Sequence, residues 1–174
     1  MSFTLYKAFV PTCLQMLGSL DKLVDKAAEH CAEKGAGDED VACLKLAPDM
    51  FDFAYQVRSA CVHSLGAIEA VRRGTFSPDM GEAPRTFKAM KAALAETVAA
   101  LEAMDPGELD TYLGKPMEFH IGDHVIPFVA EDFLLSFSQP NFFFHMTTAY
   151  SLLRAEGLKI GKREYLGALR LTPR

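Results

Sequence analysis

Apolar residues recur along the first part of the chain at alternating three- and four-residue steps: Tyr6, Val10, Cys13, Leu17, Leu20, Val24, Ala27 and Cys31. That spacing predicts an amphipathic helix from about Phe3 to Lys34. Gly35 then offers the residue best suited to a left-handed cap, while Pro11 either kinks this helix or marks its true start, because it lacks a backbone donor. A second helix is predicted from near Pro48 to Gly74. Proline suits a first turn, and Asp49 and Asp52 early, with Arg72 and Arg73 late, complement the helix dipole. Its apolar side is Met50, Ala54, Val57, Cys61, Leu65 and Ile68. A third helix starting at Pro84 carries Phe87, Met90, Leu94, Val98 and Leu101 on one face, then breaks at Asp105-Pro106-Gly107.

The period changes between Met117 and Phe128. Two runs of alternating apolar residues flank Gly122-Asp123, which predicts a β-hairpin with Phe119, Ile121, His124, Ile126 and Phe128 on one face and His120 on the other. The spacing of His120 and His124 is therefore not a helical metal pair, and both read as ordinary hairpin residues. A fourth helix is predicted from about Ala130 to Glu156, kinked by Pro140 and closed by Gly157. Phe142, Phe143 and Phe144 are consecutive, and at about 100° per residue they cover too much of the circumference for one stripe. The tail beyond Gly157 is expected to wrap the helices, anchored by Ile160, Tyr165 and Leu169.

Long helices with few strands predict a mainly all-α protein, an up-and-down four-helix bundle with a short hairpin between helices three and four. The 174 residues are 49% hydrophobic and 24% charged, which suits one domain spanning 1–174 and excludes wholesale disorder. Net charge is −5, yet the segment from Arg154 to Arg174 holds six basic and two acidic residues, leaving the body at −9. An acidic body repels phosphate and argues against a nucleic-acid partner. No apolar run approaches the roughly 20 residues that cross a bilayer, and the N-terminus lacks signal-peptide features, so a cytoplasmic protein without a membrane partner is expected. Cys13, Cys31, Cys43 and Cys61 lack the short spacing of chelating or redox motifs and read as reduced, structural residues.

Chemistry concentrates on two helix faces. Ser138, Asn141, His145 and Thr148 follow one another at three- and four-residue steps on the fourth helix, as do Gln56, Ser59 and His63 on the second. Of these, Gln56, Ser59, His63, Asn141, His145 and Thr148 are the candidate ligand-binding set. If the faces meet, His63 and His145 could share a metal, with Asn141 as a weak third ligand through its amide oxygen. Two histidines without a carboxylate fall short of a typical catalytic zinc site, and a hydrogen-bonded interior cluster is the alternative. No G-x-S-x-G, H-E-x-x-H or phosphate-binding glycine loop is present.

The run Leu46-Ala47-Pro48-Asp49-Met50-Phe51, then Gln56-Val57, Ala60-Cys61 and His63, then Gln139-Pro140-Asn141-Phe142, Phe144-His145 and Thr147-Thr148-Ala149-Tyr150, then Ile160-Gly161-Lys162, resembles a bacterial family of unknown function. That family is grouped with the DinB and YfiT-like superfamily of metal-dependent helix bundles, and the resemblance runs from Tyr6 to Gly167. It implies a four-helix bundle, a tendency to form homodimers, and a divalent metal held by one histidine of the second helix and an H-x-x-x-H pair of the fourth. By position His63 matches the first histidine and His145 the last, but Asn141 stands where the middle one is expected. Zinc or nickel is the implied metal, and amide oxygen is a poorer ligand than imidazole for either. Two functions are implied: a small-molecule-binding protein in which this cluster orients a pocket, or a metal-dependent thiol transferase or hydrolase.

Overall fold

A computed structural model of the chain describes residues 3–78 and 81–172. Helix α1 (Leu5–Lys34) starts where the Thr4 hydroxyl accepts a hydrogen bond from the Lys7 backbone N–H at 3.2 Å, and ends at Gly35 with φ of 66°. It runs through Pro11, so that proline does not mark the start. A short helix α2 (Asp38–Ala42) follows, with Asp40 accepting from the Gly37 N–H at 2.8 Å. Five residues are too few for a periodic signal, and the sequence pattern shows no sign of it.

The second long helix begins later than expected. Pro48 lies in a turn, and α3 (Phe53–Cys61) starts only where Asp52 caps it, accepting from the Tyr55 N–H at 3.0 Å. The capping carboxylate, which satisfies an otherwise orphaned donor, outweighs the preference of proline for a first turn. A π-helical turn, Val62–Gly66, joins α3 to α4 (Ala67–Arg73), and Gly74 closes the run at φ of 77°. The third long helix is also shorter than predicted: α5 (Phe87–Glu102) is capped by Thr86, which accepts from Ala89 N–H at 3.1 Å. Thr97 takes part in its buried face, whereas Val98 is half-buried.

The hairpin forms with the expected register. Strands β2 (Pro116–Ile121) and β3 (His124–Val129) pair antiparallel, with Phe119 opposite Ile126 and Ile121 opposite His124 around Gly122 at φ of 55°. A two-residue strand β1 (Thr75–Phe76), directly after Gly74, adds parallel to β2 and makes a three-stranded sheet in the order β1-β2-β3. Burial along the predicted apolar face is graded: Met117 and Phe119 are buried, while Ile121 and Ile126 stay 47% and 42% exposed.

The fourth long segment contains α6 (Ala130–Asp132), a second π-helical turn Phe133–Ser138, and α7 (Gln139–Ala155). Pro140 falls in the first turn of α7, so its missing donor and ring are accommodated by the wide turn before it. The tail carries α8 (Lys162–Leu166) against α1, where Ser19 Oγ donates to the Tyr165 carbonyl at 2.8 Å. Leu158 and Ile160 are its buried anchors and Tyr165 is half-buried, but Leu169, expected to anchor, is exposed, and the chain beyond Gly167 is held on α1 by Arg170, which donates to the Pro11 carbonyl and the Thr12 hydroxyl.

The protein is thus mainly helical with one small sheet. Helix α1 packs on α5 and α7, and α3 packs on α7 and α5. Phe9, Leu17, Leu20, Phe53, Ile68, Met90, Leu94, Phe133 and Phe142 are fully buried between them, and such side chains stabilise the fold by about 1.5 to 3 kcal/mol each. The three phenylalanines divide: Phe142 is buried, Phe143 half-buried and Phe144 exposed. All four cysteines are free thiols. Among the described residues no helix is long and apolar enough to cross a membrane.

Candidate functional site

The two polar stripes meet because α3 and α7 pack face to face. His63 lies in the first π turn and Ser138 ends the second, so each helix widens where it meets the other. The His63 and His145 rings lie 5.5 Å apart between centroids and are tilted by only 15°.

Hydrogen bonds behind the rings define their tautomers. Gln56 donates through Nε2 to the Phe51 carbonyl at 2.9 Å, leaving its Oε1 as a pure acceptor 2.7 Å from His145 Nδ1. His145 therefore carries its proton on Nδ1. Ser138 Oγ donates to the His63 main-chain carbonyl at 3.2 Å and accepts from His63 Nδ1 at 3.2 Å, which gives His63 the same tautomer. Both Nε2 atoms are then bare lone pairs, and among the described residues neither has a hydrogen-bond partner. Burial pushes both imidazoles down to about 4, with the charge of His145 adding to the effect on His63. At neutral pH both rings are uncharged.

These rings open onto a pocket of about 260 Å³, lined by Ser59, His63, Asn141 and His145 together with Tyr55, Arg58, Val62, Phe76, Pro78, Phe119 and Phe137. Asn141 donates from Nδ2 to the Phe137 carbonyl at 2.7 Å, which leaves Oδ1 as another acceptor. Arg58 is tied to the Gly81 carbonyl at 2.8 Å. Phe76, Phe119 and Phe137 form an aromatic wall with centroid separations of 5.7, 4.8 and 6.0 Å, and the sheet supplies two of the three.

Four of the six expected site residues line the pocket. Gln56 stands behind His145 and orients it, and the Thr148 hydroxyl is spent on the Phe144 carbonyl at 2.8 Å, outside the lining. The aromatic wall was missed. Phe76 reaches the site only through the parallel strand β1, which two residues of sequence cannot announce, and Phe137 reads as one more apolar residue of a helix. Tyr55 and Arg58 were missed as well, although each lies next to a residue of the Gln56-Ser59 stripe. His120 pairs with Glu118 at 2.9 Å on the hairpin and takes no part.

Among the described residues no cluster of three or more His, Cys, Asp or Glu side chains is placed to hold a metal. Among the described residues, two imidazoles and an amide oxygen are the donor set, one strong ligand short of a catalytic zinc centre. A wider groove of about 510 Å³ between α1 and residues 157–160 is lined by lysines and glutamates of both signs, with no converging cluster of like function.

The fold is shared with a DinB family member protein from Shewanella denitrificans, whose crystal structure superimposes with a TM-score of 0.80 at 24% identity, covering 98% of this chain and 96% of that one. No curated protein matches the sequence. The model of the family described as a domain of unknown function, DUF1993, matches residues 5–166, nearly the whole chain, and the protein therefore belongs to the DUF1993 family.

Proposed function

We propose that this protein binds a small organic molecule in the pocket between α3 and α7, acting in the cytoplasm as a four-helix bundle of the DinB type. The observation that carries this reading is the convergence of the His63, His145, Asn141 and Ser59 polar groups on one aromatic-walled cavity. A few placed polar groups in an otherwise apolar concavity are what ligand sites have in common, and about 260 Å³ suits a fragment-sized molecule. Four free thiols accord with a reducing compartment.

A second reading, a metal-dependent thiol transferase or hydrolase, draws on one specific feature. Histidines that bind metals have Nδ1 engaged by a hydrogen bond and present Nε2, which is the arrangement of both rings here. Among the described residues the donor set stops at two imidazoles and an amide, so zinc or nickel would be held weakly.

Unfolding of the purified protein in the presence of a fragment library of neutral, anionic and cationic molecules tests the main reading. Ligands that bind the native state raise the unfolding midpoint in a concentration-dependent way. The expected result is a saturable rise that disappears in Asn141→Leu or His145→Leu, with the helical circular dichroism retained. A library that moves no midpoint, or moves it equally in the variants, overturns it.

A further inference from the structure

The acidic chain reverses sign at its tail, where residues 154–174 carry six basic and two acidic side chains. The fold brings part of that excess against α1. Between α1 and α8 lies a cavity of about 260 Å³ whose charged lining is Lys22, Lys26, Arg163 and Glu164. Lys22 and Lys26 stand one turn apart on α1 and share a face, while Arg163 comes from α8. All three cations are exposed, and among the described residues none is held by an ion pair or a side-chain hydrogen bond. Like charges one turn apart repel, and a third brought to them from another helix adds to a cost that a bound anion removes.

The carboxylate in this lining is already committed. Glu164 Oε2 accepts from the Gly161 N–H at 2.7 Å. The backbone N–H groups of Gly161 and Glu164, and after them the charges of Lys26 and Arg163, hold its carboxyl below the ordinary carboxylate range. Three cations against this one carboxylate leave two positive charges over. The larger groove beside it shares Lys26 but adds Glu29 and Glu33, so the excess is local to the α8 side.

The walls are fixed in place. Gln15 Nε2 donates to the Leu166 carbonyl and Ser19 Oγ to the Tyr165 carbonyl, each at 2.8 Å. Gly167, at φ of 62°, comes so close to α1 that a Cβ there would lie 3.1 Å from that of Ser19. The same two bonds engage carbonyls of α8 whose lone pairs would otherwise oppose an anion.

We infer that this groove binds a phosphate monoester group, with Lys22, Lys26 and Arg163 as its ligands. Such a group carries a charge of about −1.5 to −2 at pH 7 and three acceptor oxygens, matching the two charges left over and the three donor side chains. A carboxylate brings a single charge and two oxygens. A nucleic-acid strand would have to continue from the groove across an acidic body. Phosphate on a soluble molecule and phosphate on a lipid head group share this chemistry, and the test separates them. The groove is distinct from the pocket between α3 and α7 and does not rest on the reading given for it.

The probes are phenyl phosphate, benzoate, and phosphatidylcholine vesicles with and without phosphatidic acid, offered to the full chain at low salt with amide ¹H–¹⁵N spectra as the readout. Phenyl phosphate should saturate and shift the Arg163, Gly167 and Ala168 amides, with benzoate at least about threefold weaker. Lys26→Gln and Arg163→Gln should each weaken phenyl phosphate by about three- to tenfold, and Lys88→Gln on α5 should leave it unchanged. All three changes fall on exposed side chains, so retained helical circular dichroism separates lost binding from lost fold. Vesicles bound only with phosphatidic acid, and released in the same two variants, assign the phosphate to a lipid; phenyl phosphate binding without vesicle binding assigns it to a soluble molecule. Benzoate as tight as phenyl phosphate, or an equal loss in Lys88→Gln, overturns the proposal by reducing the groove to non-specific attraction. Shifts confined to the surroundings of Arg58 and Asn141 overturn it while leaving the small-molecule pocket standing. A spectrum unmoved by phenyl phosphate and by both kinds of vesicle overturns it outright.

Discussion

The carboxamide of Gln56 bridges the Phe51 carbonyl and His145 Nδ1, so one side chain ties the start of α3 to the middle of α7 and sets which nitrogen of His145 is bare. Its two ends cannot exchange roles without losing both bonds. Gln56→Leu removes the bridge at constant bulk and should cost about 1 to 3 kcal/mol of stability, since His145 Nδ1 is left without its acceptor. Chemical denaturation measures this. A loss below a few tenths of a kcal/mol would mean that the bridge is not formed in solution.

The two imidazoles make the fold acid-sensitive. In the unfolded chain histidine takes up its proton around 6.5, whereas in the folded protein both rings resist it down to about 4. Between those values the unfolded state binds more protons, so stability falls as pH drops from about 6.5 and the loss is complete below about 4. Each full pKa unit is worth about 1.4 kcal/mol, so the pair contributes a loss on the order of a few kcal/mol. Stability measured across this window should fall less steeply in His145→Gln, and an equal slope in that variant would remove the pair as the cause.

Metal content follows from the donor count. After dialysis the protein should hold zinc or nickel well below one equivalent, measured by mass spectrometry. Asn141→His supplies the missing imidazole one turn before His145 and should raise retained zinc towards one equivalent, because imidazole outranks amide oxygen as a ligand for this ion. Stoichiometric, dialysis-resistant metal in the unaltered chain would show that two imidazoles suffice.

Of the fourth-helix and hairpin surface expected to pair with a second copy, Phe142, Met146 and Phe119 are buried within the chain, while Phe144, Ile121 and Ile126 stay exposed. Phe51 and Phe144 are each more than half exposed, as is Val125 on the hairpin. Contiguous apolar patches are uncommon on monomers, and two-fold pairing closes without leaving a sticky face. Sedimentation at micromolar concentration should report about twice the 19.1 kDa chain mass, and Phe144→Asp should shift it towards one. A single monomeric species in the unaltered protein would end the homodimer proposal.

The long helices and the hairpin register were legible because their signals are periodic and extend over many residues, as from Tyr6 to Cys31 or across Gly122-Asp123. Helix starts were less so: Pro48 and Pro84 drew the predicted boundaries towards themselves, while the actual caps are the downstream Asp52 and Thr86. His63, Asn141 and His145 were readable as neighbours along two stripes, since each stripe keeps helical spacing. Phe76 was not, because its place depends on β1 joining β2 across about 40 residues, a pairing no local pattern encodes. Nor does any residue type announce a π turn, so the widening that contains His63 leaves no trace in composition.

Those two wide turns give the protein a particular history and a particular fragility. A π turn holds one more residue than the regular turn it replaces, so each helix carries what a single-codon insertion would add, and the two additions lie opposite one another. Deleting one residue within Val62–Gly66 would restore a regular turn, because the bulge is what absorbs the extra residue, and the helix on either side would keep its facing. What would be lost is the local widening that carries His63 towards Ser138. Selection for a more regular, more stable helix and selection for the cavity therefore pull on the same codon in opposite directions, and variation in length at these two points should track whether a relative has kept the pocket.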